Sequence, residues 1–132
     1  MPNANGIALT DVMVTNTGGT IDQVTIPSNA GFDVVVEAQA GTNVFGAGGS
    51  YNLQMVLTDY TANFTNPNMQ NITGTFGDAN WPTQAVAHHF AVPSLGAGVV
   101  GHVFRAFAVF QAGNVDPIVA FEDGQIFLVV HP

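Results

Sequence analysis

The sequence predicts an all-β protein: an antiparallel β-sandwich of about 7–8 strands, in one domain spanning residues 1–132. Three observations lead there. Short runs alternate apolar and polar residues, a spacing of two that sends successive side chains to opposite faces. Gly, Pro, Asn and Asp punctuate these runs at regular intervals. No segment carries a convincing 3.6-residue period.

Ile7–Thr15 alternates imperfectly, with Leu9, Val12 and Val14 inward, and reads as a first strand. Asn16–Gly19 is a turn signal, and Thr20–Ile26 is a second short strand stopped by Pro27. In Phe32–Ala40 the spacing puts Phe32, Val34, Val36 and Ala38 on the core face. Gly41–Ser50 reads as a Gly-rich loop. It lacks GxxxxGK[ST] and a following helix, so it offers no phosphate cradle. Tyr51–Thr61 is the next strand, and Ala62–Asn68 a loop turning at Asn66–Pro67. Met69–Phe76 alternates weakly and reads as an edge strand. Gly77–Thr83 is an exposed turn holding Trp81, the only Trp. Gln84–Val92 and Val99–Ala112 are strands joined by Pro93–Gly98. A turn at residues 113–116 follows, and Pro117 opens the strand Ile118–Phe121. Asp-Gly within Glu122–Gln125 is the strongest hairpin signal in the chain, and Ile126–Val130 closes the domain. Residues 99–130 are almost wholly apolar, which predicts adjacent strands at the centre of the sandwich.

The alternating segments Phe32-x-Val34-x-Val36, Tyr51-x-Leu53-x-Met55, Val103-x-Arg105-x-Phe107-x-Val109 and Ile126-x-Leu128-x-Val130 span most of the chain. In order and spacing they resemble bacterial immunoglobulin-like and fibronectin type III-like sandwich domains. The resemblance implies an immunoglobulin-like fold, with a jelly roll as the alternative. It is one of pattern alone, lacks the Cys–Trp–Cys signature of antibody domains, and implies no function.

Composition narrows the function classes. Charged residues make up 8% of the chain, there is no Lys, and the formal net charge is −8. One Arg cannot neutralise a phosphate backbone, so nucleic acid is excluded as a partner. Attraction to an anionic membrane is disfavoured likewise, and no apolar run approaches the ~20 residues of a membrane span. The absence of Cys excludes disulfides and thiolate chemistry. The N-terminal MPNANGIALTDV has neither a basic nor a long apolar stretch and reads as no signal peptide.

Candidate sites follow from the remaining polar and aromatic residues. If the strands flanking Pro93–Gly98 pair, His89 lies opposite His102, and two imidazoles there could hold a metal with a third ligand. The plainer reading, polar positions on a sheet face, is favoured because two ligands do not make a site, and in an immunoglobulin topology these strands lie in different sheets. Asp59 and Asp78, with Asn63, Asn66 and Asn68, offer oxygen ligands for Ca²⁺, though turn residues show the same composition. Trp81, Tyr51 and Tyr60 could form an aromatic platform for a glycan; the competing reading tucks Trp81 over the end of the core. Arg105 is expected to pair with Asp59 or Glu37. Glu122 and Asp123 read as hairpin residues rather than an acid–base pair. No Ser lies in GxSxG, and no catalytic residue is assigned.

The last third is the most informative. Val103, Phe107 and Val109 share one face of their strand, and Phe104, Ala106, Ala108 and Phe110 the other. Two apolar faces call for a second covering layer or a subunit interface. Phe104, Phe110, Phe127 and Val129 are accordingly expected to mediate self-association. The expectation is a non-enzymatic structural subunit with no cofactor. Its partners would be other copies of itself or neighbouring structural proteins, in a virion shell, decoration layer or tail, or an extracellular filament. The alternative is a secreted adhesion or carbohydrate-binding module, and a weaker third reading is a metal enzyme on His88, His89 and His102.

Overall fold

Residues 3–113 and 118–132 are described by the computed structural model. Residues 114–116 of the expected turn, and Pro117, lie outside them. The strands are β1 (Ile7–Asn16), β2 (Thr25–Pro27), β3 (Phe32–Ala40), β4 (Ser50–Asp59), β5 (Thr65–Thr75), β6 (Ala85–Val92), β7 (Val103–Ala112), β8 (Ile118–Asp123) and β9 (Phe127–Val130). Among the described residues two short helical segments interrupt them, α1 (Thr42–Gly46) and a 3-10 turn at Ala97–Val99, so the strand expected from Val99 starts only at Val103. The strands form two sheets: a smaller one in the order β1-β3-β6 and a larger one in the order β2-β9-β7-β4-β5, with β8 also on β7. All pairs are antiparallel except β2–β9, which is parallel. The fold is a β-sandwich.

Alternation builds the core. Val34 and Val36 of β3, Leu53, Met55 and Leu57 of β4, and Phe104, Ala106, Ala108 and Phe110 of β7 have no exposed surface. Aromatic rings close both ends. At one end Phe127 stacks on Phe104 and meets Phe32 edge-on, both at 5.6 Å between centroids. At the other, Trp81 stacks on Phe110 at 4.8 Å and packs against Tyr51 and Phe76 at 4.9 and 5.3 Å. Burying each such side chain contributes about 1.5–3 kcal/mol.

Four further local expectations are corrected. Of Thr20–Ile26, only residues from Thr25 onward pair, because Asp22 and Gln23 instead bond back to the Val14 backbone at 3.1 and 2.7 Å. The Gly-rich loop contains α1, whose Val44 and Phe45 pack against the core. Strand β5 starts at Thr65 and includes Pro67, which an edge strand tolerates. Thr65 N–H donates to Ala62 O at 3.3 Å, and both Asn63 and Phe64 have positive φ, so a tight turn centred on these two residues ends the connection from β4 to β5.

The fourth correction concerns Glu122–Gln125, which is not a hairpin. Strands β8 and β9 run in the same direction along the same edge of β7, and residues 105 and 106 face residues 124–126 between them. The Asp-Gly dipeptide therefore marks a bulge in one long strand. Gly124 does not adopt positive φ. Its N–H donates to Ala106 O at 2.8 Å, and a Cβ on it would stand 2.8 Å from Val12 O of β1. Glycine is needed for that close approach of β1, not for a turn.

Gly124→Ala should therefore destabilise the fold by roughly 1–3 kcal/mol, the usual cost of overpacking. Gly98→Ala, where a Cβ meets nothing within 4 Å, should stay within about 0.5 kcal/mol. Urea midpoints of the two variants check this; equal midpoints would refute the close-approach role of Gly124.

Candidate functional site

The histidines do not converge. His88 and His89 are on β6 of the smaller sheet, and His102 precedes β7 of the larger one. His89 and His102 are therefore not opposite one another. Each meets its own aspartate: His89 Nδ1 lies 2.9 Å from Asp33 Oδ2, and His102 Nδ1 2.7 Å from Asp59 Oδ2. A carboxylate has no proton to give, so each Nδ1 carries the hydrogen. The aspartates also hold loops. Asp33 accepts from Gly18 N–H, and Asp59 from Thr61 and Ala62 N–H. Among the described residues, no group of three or more His, Cys, Asp or Glu is placed to hold a metal ion.

His88 faces the core. It pairs with Val36 in register, with Trp81 5.5 Å and Phe90 6.4 Å from its ring. Its Nε2 is buried with no hydrogen-bond partner. Lost hydration pushes its pKa below the usual 6.5; the charge of Asp78 pulls it up and His89 pushes it down.

The proposed aromatic platform is not exposed. Trp81 is 0% exposed and Tyr51 is buried. The expected exposed turn folds inward around Asp78, whose carboxylate accepts from Tyr51 OH and from the N–H groups of Thr75, Asn80 and Trp81. Lost hydration pushes the Asp78 carboxyl up, but these four donors outweigh it and hold it below the usual carboxylate range. Burial, then the hydrogen bond to and charge of Asp78, push the Tyr51 phenol up to about 12. Gly74 lies beneath: a Cβ there would collide with Asp78 Oδ2. Asp59 and Asp78 do not form a common Ca²⁺ site, since they sit at opposite ends of β4: Asp59 ends it and Asp78 bonds Tyr51 near its start. Asn66 and Asn68 accept from Thr58 and Gln70 side chains instead.

The expected self-association residues face the wrong way. Phe104, Phe110, Phe127 and Val129 are at most 1% exposed and make the core between the sheets. Arg105 and Gln111 share the other face of β7, and that face turns outward. Arg105 pairs with neither Asp59 nor Glu37; Asp59 is taken by His102, and Arg105 Nη1 lies 3.5 Å from Asp123 Oδ2. Its guanidinium also lies 5.9 Å from the Tyr60 ring. Glu122 and Asp123 lie on β8, not in a turn.

The outward face of the larger sheet is the chain's most distinctive surface. In register, Met69 of β5 adjoins Val56 of β4, which adjoins Phe107 of β7. One row on, Val109 adjoins Phe121 of β8, and the Phe107 and Phe121 rings lie 5.8 Å apart. Phe121, Val119 and Met69 are 62, 57 and 56% exposed. Among the described residues, the ionised groups there are the oppositely charged pair Arg105 and Asp123. Asp11 and Glu37, by contrast, adjoin each other on the outside of the smaller sheet. This arrangement has no nucleophile–base geometry; it offers apolar contact area on a rigid sheet.

No protein-family model matches this chain, and a search of curated proteins gives no match. No helix among the described residues is long and apolar enough to cross a membrane.

The environment of His88 sets a pH dependence. Its folded pKa lies below its unfolded one, so the unfolded chain takes up the proton first and stability falls as pH drops through about 6.5. The fall levels off below the folded pKa. Urea midpoints measured from pH 8 to pH 5 should decline, and His88→Phe should decline less; an unchanged decline would show that His88 is not responsible.

Proposed function

We propose that the chain is a non-enzymatic structural subunit, an immunoglobulin-like sandwich that packs into a larger assembly such as a virion layer or an extracellular filament. The strand order supports the immunoglobulin-like reading. The order β1-β3-β6 follows strands A-B-E, and β9-β7-β4-β5 follows G-F-C-C′, with β2 added beside the last strand. The observation that carries the functional reading is the apolar outer face around Phe107 and Phe121. Contiguous exposed apolar surface marks an interaction site. In a chain of net charge −8, a face whose charges cancel is also where a second copy meets the least like-charge repulsion.

A second reading, a secreted adhesion or carbohydrate-binding module, retains one observation. Phe64 is 65% exposed at the β4–β5 turn, with its ring 5.2 Å from Tyr60, which in turn borders Arg105. Two rings and a cation suit an acidic sugar. The outer sheet face is larger and extends across four strands, which favours the structural reading.

Light scattering after size exclusion separates the two. The structural reading predicts a large species that survives dilution and EDTA. Replacing both Phe107 and Phe121 by Glu should reduce it to one or two chains of 13.7 kDa without unfolding. A wild-type monomer whose melting temperature rises with an acidic glycan would overturn that reading in favour of the second.

A further inference from the structure

We propose that the edge of β5 is a second self-association contact: β5 of one copy pairs antiparallel with β5 of another and joins their larger sheets into one. The inference rests on the structural-subunit reading and adds the geometry by which such a subunit grows. An open sheet edge presents unpaired N–H and C=O groups that template another strand unless it is guarded. Most edges in this fold are guarded. Strand β1 has a bulge between Leu9 and Asp11 and carries an acid there. Strand β2 is three residues long and ends on Pro27. Strand β8 ends in Glu122 and Asp123. On β6, Ala91 O already accepts from Gln70 Nε2 at 2.7 Å.

Strand β5 differs from all of them. It is eleven residues long and has no ionisable side chain. Strand β4 occupies one side, and no strand lies on the other among the described residues. Pro67 guards the start, leaving Asn68–Gly74 as a regular stretch paired in continuous register with β4. Its side chains are Asn, Gln and Thr around Met69 and Ile72. Antiparallel self-pairing sets such amides and hydroxyls opposite one another, where they hydrogen-bond across strands. An amide contact already crosses the sheet: Asn71 Nδ2 lies 3.5 Å from Asn52 Oδ1 of β4. The occupant follows from charge. Two copies of a chain at −8 repel, yet β5 against β5 opposes no carboxylates.

Two contacts also change what can be built. A single twofold contact through the outer sheet face stops at a dimer. A second twofold contact at β5, on a different part of the surface, links dimers onward into a filament, a layer or a closed shell.

The chain has no Cys, so single-Cys variants give an unambiguous readout. Met69→Cys, Asn71→Cys and Thr73→Cys would each be made with Phe107→Glu and Phe121→Glu, which remove the face contact. Val119→Cys in the same background is the control on β8. After mild oxidation, one β5 position should form most of the disulfide-linked dimer on a non-reducing gel, its neighbours less and Val119→Cys none. A large wild-type species without any β5 crosslink would overturn the edge contact and leave the face reading standing only with growth through a different second contact. Crosslinking at β5 with a wild type no larger than a dimer would support the edge and sink the face contact. A wild-type monomer with no crosslink would refute both.

Discussion

Strand β7 fixes the register of the larger sheet. Its residues Phe104, Ala106, Ala108 and Phe110 fill the space between the sheets with no exposed surface. A slip of one residue would exchange that set for Arg105, Phe107, Val109 and Gln111, placing a guanidinium and an amide in the core. Strand β4 on one side and β8 and β9 on the other are aligned to it. The two alanines let the sheets meet in the middle, while the aromatic residues beyond them close the ends. The outer face follows from the same alternation: once one side of β7 is committed to the core, Phe107 and Val109 must face outward.

The aspartates that make the chain acidic do much of the fastening. Asp22 accepts from the Val14 backbone, Asp33 from Gly18, Asp59 from Thr61 and Ala62, and Asp78 from four donors. Each ties a loop to a strand end. Hydrogen bonds to ionised groups contribute more than those between neutral ones. Asp22, Asp33, Asp59 and Asp78 thus serve loop geometry, whereas Asp123 forms a surface ion pair with Arg105. Two of the four histidines serve the same aspartates, so an arrangement that in sequence suggests a metal site is in space a set of loop clasps.

Much of this fold is legible in the sequence because its physical cause is local. The strand Phe32–Ala40, the core set of β4 and the edge position of β5 follow from alternation and turn residues alone. Features set by distant partners are not legible in that way. The Asp-Gly at 123–124 has the local signature of a hairpin, but β1 passing over Gly124 makes it a bulge. Trp81 lies among turn residues, and only the Asp78–Tyr51 bond, formed across 27 residues, shows why it turns inward. The orientation of the self-association face could have been read: Arg105 and Gln111 share one parity on β7, while the parity of Phe104 and Phe110 has no polar group. His88 carries no such signal, since alternation alone does not tell an outward histidine from one beneath Trp81.

The position of Arg105 bears on how the folded chain resists proteolysis. It is the chain's only Lys or Arg, hence the only place where a protease of trypsin-like specificity can cut. The bond that follows it lies within β7, three residues from its start, paired with β4 on one side and facing the bulge between β8 and β9 on the other. A protease needs several residues in extended form, detached from their neighbours. That requires β7 to leave both partners, which means losing the core. Cleavage at this one bond therefore waits on global unfolding rather than on loop opening, and loops that elsewhere invite nicking offer such enzymes nothing.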